Sequence, residues 1–461
     1  MFGGITRDRD TENTGSSSPD LLERTADLYS VYLTIPCLQE ISLEAVKYYH
    51  RRRVYNETLC YNPRSGNSRI QSDELYKEIW KFDTVWKQWR LLDVANTPPY
   101  AASNCCNLIG YNPRSGNSRI QSDELYKEIW KFDTVRKQWR LLDVANTPPY
   151  AASNCCNLIG NKILTIFGGT SYPFGEESGN DLYVLDLNEE KKFNIVTGGE
   201  KDENEKPPGR YGQGVVIKDN YLYAIGGTTG YVYSMDVHRL NLSANRWELL
   251  YNSDLFGPGD PEPRYRHEVV LYEDHIYVLG GGTELKVFNL EDIHSYDTLS
   301  RTWVLHHTNP DPIHLYPSPR KCHGLVQLPS TPSIVYILGG ADGALVLNDV
   351  WRLDLARLQW TKIEMSLTAR VYFHAVTVTP HDKVYMFGGI TRDRDTENTG
   401  SSSPDLLERT ADLYSVYLTI PCLQEISLEA VKYYHRRRVY NETLCASYAN
   451  GISSWEFSSQ I

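Results

Sequence analysis

Three blocks of the chain place cations and aromatics at a fixed offset ahead of apolar runs: "RYGQ" at 210–213, "RYRH" at 264–267 and "RKCH" at 320–323. A fourth, "VYFH" at 371–374, keeps the aromatics without the cation. An arginine offers a planar fork that grips both oxygens of a carboxylate, and tyrosines beside it can pack the residues preceding that group. Arg266 and Lys321 stand in later slots of their blocks, where a side chain is available to a ligand. Arg210, Arg264 and Arg320 share the first slot, and a residue that recurs once per block serves the scaffold. They are expected to tie neighbouring repeats together through backbone carbonyls. His267, His323 and His374 also recur at one slot, which reads as packing or a backbone hydrogen bond. A copper oxidase centre with Tyr and His ligands is the remote enzymatic alternative. Since the chain shows no nucleophile elbow, phosphate loop or histidine-rich cluster, neither catalysis nor a cofactor is expected.

With "PYAA" at 149–152 as a fifth block, one ring presents Tyr211, Tyr265, Arg266, Lys321, Tyr372 and Phe373, joined by Tyr150. Thr228, Thr229 and Tyr231, with Thr283 and Asp342, follow the next strands and are expected at the same mouth.

The elements that must hold such a ring repeat along the chain. Glycine pairs close apolar strands at "ILTIFGG", "YLYAIGG", "IYVLGGG", "VYILGG" and "VYMFGG", with first glycines at 168, 226, 280, 339 and 388. Each unit reads as four strands, the third carrying "EIWKFD", "DLYVLDL", "DVHRLNL", "DIHSYD" or "DVWRLDL". A tryptophan follows a ring on that strand in four units: Trp130 to Trp139, His238 to Trp247, His294 to Trp303 and Trp351 to Trp360, with Phe193 after Tyr183 in the other. Four strands in about 50 residues is the signature of a kelch β-propeller. The reading is an all-β ring of six blades over 111–420, the first of them incomplete. The last unit has no tryptophan strand of its own, so a segment from the other end of the chain must supply one.

A second repetition is verbatim. Residues 1–60 recur as 386–445, and residues 61–110 recur as 111–160 with one change, Trp86 against Arg136. Copies that match even in loops read as a recent duplication or a misjoined gene, with 1–60 peripheral and 61–110 a partial blade. Eight of the nine cysteines lie in these copies, and adjacent pairs such as Cys155-Cys156 point to opposite faces of a strand. Reduced thiols, and therefore cytoplasm or nucleus, are expected. The formal net charge of -11 disfavours nucleic acid and anionic membranes.

Beyond the last strand, "PCLQEISLEAVKYYH" at 421–435 spaces Leu423, Ile426, Ser427, Ala430, Val431 and Tyr434 along one face of a short helix, before a tail at 436–461. The stretches "PGRYGQGVVIKDNYLYAIGGTTGYVYSMDVHRLNL", "RYRHEVVLYEDHIYVLGGGT", "RKCHGLVQ" and "VYFHAVTVTP" resemble the kelch domain-containing protein 10 family, over about 111–432. That resemblance implies the substrate receptor of a cullin-2 RING ubiquitin ligase, reading carboxyl-terminal degrons that end in small residues. It also implies a BC-box helix for elongin C of the elongin B-C pair, with Leu423 and Val431 at the pattern's apolar positions, Cys422 in the first position and Ser427 in the cysteine position. Nothing from 436 to 461 supplies the proline of a cullin box. A scaffold in stress-kinase signalling that binds protein phosphatase 5 is the alternative the resemblance allows.

Overall fold

The computed structural model describes residues 128–392 and 407–419, apart from residues 135, 161, 172, 197–204 and 256, together with residues 90–92, 94, 97, 98 and 109–112. All of them lie within one contact unit, Ser72–Pro421. The duplicate at 1–60, the helix expected over 421–435 and the tail lie outside the described residues.

Alternating apolar runs bounded by turns make strands buried on both faces, and here they make five four-stranded antiparallel sheets. The first blade is Cys155–Ile159, Ile163–Phe167, Leu182–Asp186 and Asn194–Val196. The second is Gly214–Lys218, Tyr221–Thr228, Tyr233–Asn241 and Arg246–Tyr251. Strands Glu268–Tyr272, His275–Leu279, Asp292–Asp297 and Thr302–His307 form the third. Gly324–Gln327, Ile334–Leu338, Val350–Asp354 and Gln359–Ile363 form the fourth. Beside Ala375–Val378, Lys383–Phe387 and Leu413–Tyr417, the fifth takes its outer strand from Arg90–Leu91.

Arg90 pairs with Ser415 and Leu91 with Tyr414, and the Leu92 N–H donates to the Leu413 carbonyl at 2.8 Å. The missing strand thus comes from the first copy of the verbatim block. A further sheet has three strands, Ile109–Asn112, Glu128–Asp133 and Gln138–Leu142. The sequence predicts six blades, and the described residues complete five. The reason lies in the copied text. After Gly110 the block restarts, whereas after Gly160 the chain runs into "NKILTIFGG", which builds the inner hairpin. Among the described residues the one helical turn is the 3-10 turn Ser253–Leu255, and no helix is long and apolar enough to cross a membrane.

Tryptophans of the fourth strands fill the wedge between a blade and its predecessor. Trp247 stands 5.4 Å from Phe167, Trp303 is 5.9 Å from Tyr251, and Trp360 donates its indole N–H to the Leu290 carbonyl at 3.0 Å. In register the residue opposite each is not the ring nine positions earlier but the one two beyond it, as Phe132 opposite Trp139 and Tyr296 opposite Trp303. The earlier ring sits on the diagonal, as with Trp351 and Trp360 at 6.4 Å. An apolar cluster joins Phe132 and Trp139 to Tyr385, Phe387 and Leu413 of the fifth blade.

The second glycine of each pair has a positive φ, +96° at Gly227, where a Cβ would lie 3.0 Å from the Tyr211 carbonyl oxygen. No other residue fits that approach. Closure by the first copy has a direct test. Leu92→Pro deletes the N–H that reaches Leu413, so the folded protein should lose about 1–3 kcal/mol in urea unfolding. An unchanged midpoint would show that the pairing does not hold the ring.

Candidate functional site

Backbone bridges fix the register of the blocks. Tyr211 faces Thr228, Tyr265 faces Gly282, Lys321 faces Ala341, and Ala152 faces Thr170 in the same way. The first-blade block is therefore Ala151 to Asn154, two residues later than the sequence alignment placed it. Tyr150 leaves the ring and lies where a Cβ at Gly179 would meet its side chain at 2.5 Å.

The third slot is where the blades meet. Gly212 N–H donates to the Ser153 carbonyl at 3.0 Å, Arg266 to Gly212 at 2.7 Å, Cys322 to Arg266 at 3.2 Å and Phe373 to Cys322 at 3.1 Å. All five residues hold positive φ: 53° at Ser153, 64° at Gly212, 58° at Arg266, and 56° at both Cys322 and Phe373. For a residue with a Cβ this conformation costs about 1–2 kcal/mol, so the hydrogen-bond chain must impose it. It turns the third-slot side chains toward one another. The Arg266 guanidinium lies 4.6 Å from the Tyr265 ring and 4.5 Å from the Phe373 ring, two blades away from its own. Its Nη1 is 3.9 Å from the Cys322 sulfur, and its Nε is buried without a hydrogen bond.

Lys321 stands beside it, 6.0 Å from the Tyr265 ring, and its Nζ donates to the Thr283 carbonyl at 2.9 Å. Burial holds the Lys321 ammonium below its ordinary pKa and the Arg266 charge presses the same way, against Cys322 and Glu284. Tyr211 packs edge-on to Tyr265 at 6.2 Å, and burial raises both phenols against the pull of Arg266. Tyr372 joins through Phe373, ring to ring at 5.0 Å. Among the described residues neither Arg266 nor Lys321 has a carboxylate partner. The structure thus brings Arg266, Lys321, Tyr211, Tyr265, Tyr372 and Phe373 together in one cluster.

Thr228 and Thr229 have a different task. Thr228 is buried, donates to the Val232 carbonyl at 2.9 Å and accepts the Gly230 N–H at 3.1 Å, while Thr229 accepts the Val232 N–H at 3.2 Å. They shape a loop, and Tyr231 is the exposed tip of it. Cys322, Gly212 and Ser153 line the third slot and were missed as site residues. Their signal, one position per block directly before the buried fourth slot, was present in the sequence.

The first-slot arginines are buried and scaffold-bound, by a route other than the expected one. Arg210, Arg264 and Arg320 donate to Gly226, Gly280 and Gly339 of their own blades at 3.0, 3.2 and 3.1 Å. Neighbouring blades are tied by the arginines' backbone carbonyls, which accept N–H groups of Gly169, Gly227 and Gly281 at 2.9, 3.0 and 2.8 Å. Asp349 pairs with Arg320 at 2.9 Å and Asp236 approaches Arg210 at 3.6 Å, whereas Arg264 lies over the Phe288 ring at 3.8 Å. Burial lowers Arg264 to about 10, so it stays charged at neutral pH.

In the fourth slot Gln213 donates to the Phe167 carbonyl of the preceding blade at 3.0 Å. The carbonyls of Ile225 and Leu338 act likewise on His267 and His374, close enough to favour protonation yet short of good hydrogen-bond geometry. Burial outweighs them, holding His267 at about 3 and His374 at about 4, with His323 also well below its ordinary value. Among the described residues no three of His, Cys, Asp and Glu come together as metal ligands.

A repeated four-stranded blade with this third-slot ring defines a kelch-type protein-interaction propeller. A family profile described as the KLHDC2/KLHL20/DRC7 Kelch-repeats domain matches residues 71–281 and 254–405, and the chain belongs to that kelch-repeat family. It is 39% identical over 273 residues to kelch domain-containing protein 10 of Xenopus laevis, 59% of this chain and 61% of that protein. It is 36% identical to the Homo sapiens protein of that name over 266 residues, 58% of this chain and 56% of the relative. The Drosophila melanogaster homolog matches at 36% over 397 residues, 81% of this chain and 54% of its own. The chain therefore spans about six-tenths or less of these relatives' length.

The neutral fourth-slot histidines make stability depend on pH. In the unfolded chain each imidazole takes up a proton below about pH 6.5, while folded His374 resists until about 4. Their contribution is whole above pH 6.5 and lost as pH falls toward 4, at about 1.4 kcal/mol per pH unit for each. His374→Gln, which installs the side chain of Gln213, should flatten urea-unfolding stability between pH 6.5 and 4.5 by about one proton. An unaltered slope would mean that His374 is not held neutral.

Proposed function

We propose that the mouth of this propeller receives the carboxyl end of target proteins and that the chain is the substrate-recognition adaptor of a cullin-RING ubiquitin ligase. One observation carries the first half. Arg266 lies over both the Tyr265 and the Phe373 rings with its Nε buried and unpartnered, and no carboxylate among the described residues answers it. A guanidinium held by its faces keeps its edge for an anion, and Lys321 adds a second charge beside it. Ser153, Gly212 and Cys322 share the third slot, and such small side chains suit a small final residue. Tyr211, Tyr265 and Tyr372 are the surfaces for the residues before it.

The ligase half draws on the likeness to kelch domain-containing protein 10 and on the apolar spacing of 421–435. In this reading Cys422, Leu423, Ser427 and Val431 dock on elongin C, with cullin-2 behind it, in cytoplasm and nucleus. In this reading the three-stranded sheet takes a sixth position in the ring, supported by Phe132 and Trp139 against Tyr385 and Phe387 at 6.0 and 4.8 Å.

Two experiments test the two halves. A charged hydrogen bond to the terminal carboxylate contributes about 1.5–3 kcal/mol, roughly ten- to a hundredfold in Kd. A peptide ending in Gly-Gly should lose that much when amidated. Arg266→Ala should weaken the free acid to the level of the amide and leave the amide unchanged. Equal binding of acid and amide would reject the carboxylate. Leu423→Asp sets a carboxylate into an apolar interface, a loss of several kcal/mol. Co-purification of elongin B-C should disappear, and undiminished co-purification would reject the adaptor role.

A further inference from the structure

The loops that follow the glycine pairs abut one another in blade order above the mouth. A Cβ at Gly230 would lie 2.1 Å from the Gly175 carbonyl, the Glu284 N–H donates to the Tyr233 hydroxyl at 3.2 Å, and a Cβ at Gly343 would touch Val287 at 3.5 Å. Their bases are the site itself. Lys321 holds the Thr283 carbonyl, and the Tyr211 hydroxyl lies 3.1 Å from the Cβ position of Gly175.

Each of these four loops puts a large apolar side chain into solvent: Phe174 at 60% exposure, Tyr231 at 81%, Leu285 at 97% and Leu345 at 45%. One exposed leucine is ordinary. The same loop on four successive blades, beside the Arg266 and Lys321 charges, is a patterned surface. The turns are held from within. Thr283 accepts the Lys286 N–H at 3.1 Å and Asp342 accepts the Leu345 N–H at 2.6 Å, as Thr229 does in its own loop. Side chains carried on turns fixed in this way lose little freedom on contact with a partner. Glu176, Glu177 and Glu284 are exposed on the same loops and repel acidic neighbours.

We propose that these tips form a collar that seats apolar side chains a few residues ahead of a partner's terminal carboxylate, so that the partner is an extended chain end, anionic at its terminus and apolar, not acidic, behind it. The inference rests on the carboxylate reading of Arg266 and adds the chemistry of the preceding residues. The collar and the cations divide the work: the charge sets where the end stops, and the tips set which ends remain.

Fluorescence anisotropy with two labelled peptides separates the parts, one ending Leu-Ser-Leu-Ser-Gly-Gly and its twin with serine for each leucine, both as acid and amide. The leucine acid should bind at least tenfold tighter than the serine acid. The triple variant Tyr231→Ser, Leu285→Ser, Leu345→Ser should remove that difference and leave the serine acid unchanged. Leu299→Ser, an exposed leucine in the turn after Asp297, is the control and should retain full binding. If the two acids bind wild type alike, or the triple variant keeps the preference, the collar is wrong while the acid-to-amide ratio still reports on Arg266. If acid and amide match but the triple variant abolishes the leucine preference, the collar stands and the carboxylate reading falls. Failure of all four peptides to bind overturns both.

Discussion

Each of the five complete blades turns through one residue held at positive φ, and from Gly212 to Phe373 the N–H of that residue is bonded to the carbonyl of its counterpart in the blade before. This chain of hydrogen bonds sets how closely successive blades approach at the mouth. Where the residue is Gly212 the conformation has no steric penalty. At Arg266, Cys322 and Phe373 it costs the ordinary left-handed strain, about 1–2 kcal/mol each. Strain retained at a cleft is a pointer to function. The side chains kept there are a guanidinium, a thiol and an aromatic ring, the guanidinium in contact with both of the others.

The buried layer beneath explains why only some cations face outward. First-slot arginines spend their donors on carbonyls of their own blades, and the fourth-slot histidines stay neutral because burial disfavours their charge. Among these blocks the positive charge at the mouth belongs to Arg266 and Lys321, neither of which forms an ion pair among the described residues. Two cations set side by side in a half-buried cleft concentrate a field there, and low-dielectric walls strengthen it.

The duplicated text shows how context selects among identical segments. "KQWRLL" occurs at 87–92 and at 137–142. The second copy is the outer strand against Glu128–Asp133, while Arg90–Leu91 of the first pairs with Leu413–Tyr417 in the fifth blade. An open sheet edge accepts any strand of suitable pattern, and the fifth blade has such an edge because its own sequence ends after the third strand. A copy that looks redundant along the chain completes the structure in space.

Period, glycine pairs and fourth-strand tryptophans were legible in the residues, because they express backbone sterics and wedge packing that repeat in every unit. That is enough to determine the all-β propeller and the scaffold role of Arg210, Arg264 and Arg320. Sequence could not determine which copy of the block closes the last blade, since both have the same pattern and only the free edge distinguishes them. Nor could it place Tyr150, for "PYAA" and "AASN" are equally good blocks until Ala152 is seen opposite Thr170. Thr228 and Thr229 share a residue type with ligand-binding hydroxyls, and only the turn they close reveals that their hydrogen bonds are already used. Local pattern fixes what repeats. The meeting of Arg266 with Phe373 across an intervening blade depends on the curvature of the whole ring, which no local stretch of residues contains.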